Sequence, residues 1–177
     1  MKIFLFKIAH WLLNMVITRL PFNFLRTFFL RHMFRMKIGK GSHIAYRVSM
    51  ISPWKIKIGN NCIINSYVLL DGREGIEIQN NVDIGWFSKI YTLQHDVNSP
   101  IHKSIGKKIF IDSNCWIATS AIILPGCHLN EGSVIATGAV VTKDTNAFTV
   151  YGGVPAKQIK TRSKILNYAL TEPGIRI

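Results

Sequence analysis

No aspartate or glutamate precedes Asp71, so the first 70 residues carry eleven lysines and arginines against no carboxylate at all. A one-ended positive field points to an anionic partner near the start of the chain: acidic lipid, nucleic acid or acidic polysaccharide. Nucleic acid is set aside, because no recognised binding motif accompanies the charge. Cysteine is scarce too. Cys62, Cys115 and Cys127 form no CxxC pair, which leaves a zinc knuckle or disulfide framework without support and suits a reducing, cytoplasmic compartment. Long apolar runs are also missing. The longest charge-free stretch of the N-terminal segment, Ile8 to Thr18, has eleven residues, where a membrane span needs about 20. Lys7 interrupts this region and no small-residue cleavage site closes it, so it does not read as a secretory signal.

What stands at the N-terminus is a segment, 1–37, dense in Phe, Leu, Ile and Trp and broken at Pro21. Lys7, His10, Asn14 and Thr18 recur at helical spacing before the break; Asn23, Arg26 or Thr27, Arg31 and Arg35 do so after it. The spacing predicts two helices, each with a broad apolar face and a narrow basic stripe. Two readings follow. Residues 1–36 make peripheral contact with an anionic membrane at its cytoplasmic face, or the helices cap the fold behind them, apolar faces buried and basic residues solvated.

From Ile38 onward an aliphatic residue returns every six positions, as in Ile58, Ile64 and Leu70, in Ile78, Ile84 and Ile90, and in Ile111, Ile117 and Ile123. The fifth slot of each hexad is compact: Ser42, Cys62, Ser88, Cys115, Ala121 and Cys127 all fall there, which makes the cysteines packing residues. Six fits neither a helix nor independent hairpins. It suits a chain wound into a prism, one short strand and one corner per hexad, three hexads per coil. Five coils are expected, at 38–55, 58–75, 78–95, 111–128 and 129–146. The fold class is all-β, a parallel β-helix domain over 38–162 carrying a loop insertion at 96–110. A tail, 163–177, follows, in which Ile165, Leu166 and Ala169 have the spacing of a short capping helix.

The hexads, the histidine His95 just ahead of the interruption, and the segment NCWIATSAIILPGCHLNEGSVIATGAVVTKD followed by YGGVPAKQIK together resemble the hexapeptide-repeat acyltransferases, in particular the sugar and polysaccharide O-acetyltransferases. The resemblance covers about 38–162. It implies a left-handed coil, although parallel crossovers are ordinarily right-handed, and a homotrimer with clefts between subunits. It implies acetyl-CoA as co-substrate and no metal. The paired histidines by which gamma carbonic anhydrases of related fold hold zinc are missing here.

Residue by residue, the resemblance makes His95 the general base, a role imidazole fills near neutral pH. It lays coenzyme A along Trp116, Ala118, Thr119, Thr137, Thr142 and Lys143, with Lys157 and Lys160 beside its phosphates. Many relatives have arginine at the last two positions, glycine at Ala118 and alanine at Thr137. Asn65 is implied as an acceptor contact, and Asp71 and Trp86 are further acceptor candidates, Trp86 as a stacking plate for a sugar or equally as packing. The expected activity is transfer of acetyl from acetyl-CoA to a sugar hydroxyl in surface polysaccharide biosynthesis. A small soluble acceptor, sugar or antibiotic, and a non-enzymatic scaffold are the alternatives.

Overall fold

The computed structural model describes residues 2–170, the side chains of residues 2, 3 and 5 excepted. The predicted tail therefore lies outside the described residues from 171 on.

Residues 37–152 wind into a left-handed parallel β-helix of three faces. The first face holds Lys37–Ile38, Ile56–Ile58, Ile76–Ile78, Ile109–Ile111 and His128–Leu129; the third holds Ser49–Ile51, Leu69–Asp71, Lys89–Tyr91, Ile122–Ile123 and Val140–Val141. The second face runs from His43–Ile44 through Ile63–Ile64, Asp83–Ile84, Trp116–Ile117 and Val134–Ile135 to Thr149–Gly152, which opens a partial sixth coil. The expected hexad register is the observed one: Ile44, Ile64, Ile84, Ile117 and Ile135 pair directly, strand over strand. Each is 0% exposed, and burying an isoleucine stabilises by about 1.5–3 kcal/mol. The three cysteine thiols are buried at corners, and Cys62 Sγ lies 3.0 Å from the Gln79 carbonyl.

Corners need left-handed backbone. Between the first and second faces that position is held by Gly41, Asn61, Asn81, Asn114 and Gly132, residues that tolerate it. Between the second and third faces it falls on Arg47, Tyr67 and Phe87, with φ of 61°, 63° and 62°, which side chains of that size rarely adopt.

All surplus residues collect at the third corner, between the third and first faces. There coils one and two each run two residues longer than the fourth, and there residues 92–108 leave the prism. The expected loop at 96–110 is a hairpin that starts earlier, Leu93–His95 pairing antiparallel with Ser104–Gly106. Thr92, 0% exposed, roots it by donating to the Asp71 carbonyl at 2.7 Å and accepting from Glu74 N–H at 2.9 Å.

Both ends are covered. At the C-terminus the chain turns at Gly153, φ 93°, and Lys157–Thr161 closes the second face antiparallel to Thr149–Gly152. The helix expected after residue 163 is not formed. Residues 162–170 are irregular and are tied down by Arg162, which donates to the carbonyls of Asn114 and Gly132 at 2.8 and 3.1 Å and to Tyr168 Oη at 2.6 Å.

At the N-terminus, helices α1 (Lys2–Met15) and α2 (Asn23–His32) lie over the first coil. The capping expectation holds for Leu13 and Leu30, which are buried, and for Lys7, His10 and Arg35, which are exposed; it is corrected at Asn14, Asn23 and Arg26, which turn toward the prism. Asn14 Oδ1 accepts from Met50 N–H at 2.8 Å while its Nδ2 donates to Met50 O at 3.0 Å. Asn23 Oδ1 accepts from Ile44 N–H at 3.0 Å, and buried Arg26 donates to Ile44 O at 2.8 Å. Arg31 reaches the carbonyls of Ile38 and Gly39. The reason is that the first coil has no preceding coil to bond, and a buried sheet edge demands partners for its N–H and C=O groups.

Candidate active site

The hairpin at the third corner presents His95 to solvent. Its ring stacks on His102 with centroids 3.7 Å apart and planes 12° from parallel. Its Nδ1 lies 2.9 Å from the His102 carbonyl oxygen. A carbonyl only accepts, so the neutral imidazole carries its proton on Nδ1 and leaves the Nε2 lone pair free. That is the tautomer a general base requires.

On the outer surface of the second face a groove of about 600 Å³ is lined by Trp116, Ala118, Ala136, Thr137, Lys160 and Arg162, among others. Four predicted coenzyme A residues meet here: Trp116, Ala118, Thr137 and Lys160. Trp116 and Thr137 are exposed and Ala118 half-buried. Thr142 and Lys143 are elsewhere, lining a hollow of about 290 Å³ with Lys107 and Gly126 at the third corner. Thr119, at the second corner, and Lys157, on the closing strand, are exposed and line neither cavity. Arg162 escaped the sequence reading because it lies two residues past the motif, yet it supplies the groove with a second cation.

The three acceptor candidates part company. Asp71 is 0% exposed, and its oxygens accept two 2.8 Å bonds from the half-exposed Arg73, so the pair turns the arginine and not the carboxylate toward solvent. Asn65 spends its amide on Asp83 Oδ1 at 2.9 Å and Ile84 O at 3.0 Å. Trp86 stands 47% exposed at the second corner, with Tyr67 and Phe87, whose rings stack at 5.0 Å, each within 6.3 Å of it. Asp83 was not foreseen. It is the direct neighbour of Trp116 in the sheet, and desolvation lifts its carboxyl to about 6 against the opposing bond from Asn65.

Within one chain His95 and the groove do not meet. A corner of a triangular prism lies opposite one face, and the third corner, with His95, lies opposite the second face, with the groove. Among the described residues no three His, Cys, Asp or Glu side chains gather as a metal site. Burial pushes the Cys115 and Cys127 thiols up to about 12 and 11, too high for a nucleophile.

No family model matches the chain. An Escherichia coli K12 protein provisionally named colanic acid biosynthesis acetyltransferase WcaF is 32% identical over 134 residues, 76% of this chain and 74% of its own length. An acetyltransferase, also provisionally named, of Schizosaccharomyces pombe is 42% identical over 88 residues, 48% of this chain; the chain spans less than half of that relative, 42%. A hexapeptide-repeat acetyltransferase of Vibrio cholerae O1 biovar eltor, solved with acetyl coenzyme A, superposes with a TM-score of 0.84 at 25% identity over 92% of this chain and 90% of its own. A maltose O-acetyltransferase of Clostridium difficile 630 gives 0.77 at 28% identity, covering 90% and 85%.

Proposed function

This chain belongs to the hexapeptide-repeat acetyltransferases, which use acyl-CoA, and on that footing we propose that it acetylates a hydroxyl of a sugar in a surface polysaccharide or its lipid-linked precursor, at the cytoplasmic face of a membrane. The bond from His95 Nδ1 to the His102 carbonyl carries this reading. His95 Nε2 takes the hydroxyl proton as the sugar oxygen bonds to the acetyl carbonyl carbon. A backbone N–H, that of Thr119, steadies the oxyanion. The carbon–sulfur bond then breaks, and the proton returns from His95 to the leaving thiolate. No acyl-enzyme is needed, and the three cysteine thiols are buried.

Trp116, Ala118, Thr137 and Lys160 hold the donor in the groove. His95 comes to that groove from a neighbouring copy, because each chain holds the two on opposite sides of its prism; a cyclic trimer supplies three such clefts. The sugar acceptor is supported by the maltose O-acetyltransferase likeness and the polysaccharide by the likeness to WcaF. Acetyl transfer to a panel of sugars tests this, comparing His95→Ala with His102→Ala. His95→Ala should lose about 10²-fold or more in turnover with acetyl-CoA binding by calorimetry unchanged. His102→Ala keeps the backbone carbonyl and should lose under about tenfold. Full activity in His95→Ala would sink the assignment.

A further inference from the structure

The N-terminal helices turn both polar and apolar residues toward the first coil, and they still leave large apolar side chains in solvent. Asn14, Asn23, Arg26 and Arg31 are engaged with the backbone of the first coil. The apolar residues the cap needs for its own packing are also assigned, since Leu13, Ile17, Leu30, Phe34 and Met36 are buried. What remains outside is unexplained by capping. Phe4, Ile8, Trp11 and Met15 form one stripe along α1 at 66%, 45%, 59% and 49% exposure. Phe22, Phe24, Phe28 and Met33 on and beside α2 are 54–66% exposed.

We propose that this outward face is an interfacial membrane-binding surface for a bilayer containing anionic phospholipid. Charge selects the occupant. Lys7, Arg19, Arg35, Lys37 and Lys40 are exposed around the apolar stripes, and no carboxylate occurs in the first 70 residues to offset them. A second copy docked face to face would bring two such fields together, whereas an acidic bilayer satisfies the charge and the apolar surface at once. Among the described residues no helix is long and apolar enough to cross a membrane, so the helices lie in the interface.

The cap sits at one end of the prism, and the hairpin bearing His95 leaves after the third coil. Two strand spacings put that hairpin on the order of 10 Å beyond the first coil. Resting on the reading of His95 above, this brings the base within reach of a sugar carried on a lipid in the same membrane.

The test is vesicle flotation of the full chain with phosphatidylcholine alone and with phosphatidylcholine plus phosphatidylglycerol. The chain should float with the anionic vesicles and be released by salt. The Trp11→Ser/Phe24→Ser/Phe28→Ser variant should lose about 100-fold or more in partitioning, while Lys7→Gln/Arg35→Gln should lose binding chiefly to the anionic vesicles. Acetyl-CoA calorimetry and a cooperative melt on each variant establish that it is folded. No flotation with either vesicle, or flotation unchanged in the folded triple variant, overturns the proposal. So does light scattering in which the wild type is a larger oligomer that the triple variant dissolves, for then a second copy covers the face. Because the variants sit far from His95 and the groove, failure here leaves the acetyl-transfer reading standing.

Discussion

Asp71 and Asp83 are both carboxylates set into the wall of the prism, and their partners separate them. Asp71 is wholly buried but faces the Arg73 guanidinium on both oxygens. Asp83 has only a neutral amide from Asn65, and burial lifts it from 3.8 to about 6. A carboxyl raised in the folded state binds a proton that the unfolded chain has already lost, so stability is greatest below about pH 4 and falls as pH rises toward 6. Above 6 both states are ionised and the loss is complete. Asp83→Asn keeps the Asn65 bond without the charge. It should therefore stabilise the fold by about 3 kcal/mol at pH 8, with the gain vanishing near pH 4, as read from denaturant unfolding at several pH values. An equal gain at both pH values would mean that the charge of Asp83 is not the cause.

The hairpin and the N-terminal helices are the elements the hexad pattern could not describe. The strands were legible because each corner imposes the same six-residue cycle, so Ile58, Ile78 and Ile111 announce their own stacking. An excursion from the prism obeys no cycle, and only its place was readable, not that Leu93–His95 is itself a strand. The helix spacing of Asn14, Arg26 and Arg31 was readable, but spacing is identical whichever way a stripe faces. Only the open backbone edge of the first coil decides that Asn14 and Arg26 turn inward. The tail shows the opposite failure, apolar spacing at Ile165, Leu166 and Ala169 without a helix, because Arg162 and the Asn81 contact to Leu170 N–H hold the chain irregularly. The root of the hairpin makes a test at this scale. Thr92→Val removes the hydroxyl that joins the Asp71 carbonyl to Glu74 N–H, and leaving these buried groups unmet costs about 1–3 kcal/mol. If the hairpin positions His95, turnover should fall while acetyl-CoA affinity stays; a variant with lowered stability but full turnover would make Thr92 purely structural.

At the scale of the whole molecule, one chain holds the proposed base, His95, at one corner and the proposed donor groove on the opposite face. The sequence named residues of both, Trp116, Ala118, Thr137 and Lys160 on one side and His95 on the other. It could not place them, because residues 95 and 116 are near in the chain yet the 92–108 excursion and a corner set them apart in space. Mixing two inactive variants exposes the arrangement. His95→Ala lacks the base; Thr137→Trp, at an exposed position that lines the groove, blocks the donor. In randomly reassembled oligomers of equal parts, a cleft that takes its base from one chain and its groove from another has both intact in about one case in four. The mixture should therefore recover about a quarter of wild-type activity after unfolding and refolding together, but none when the two are mixed folded and do not exchange. Were base and groove to serve the same chain, every chain in the mixture would carry one lesion, and refolding together would restore nothing.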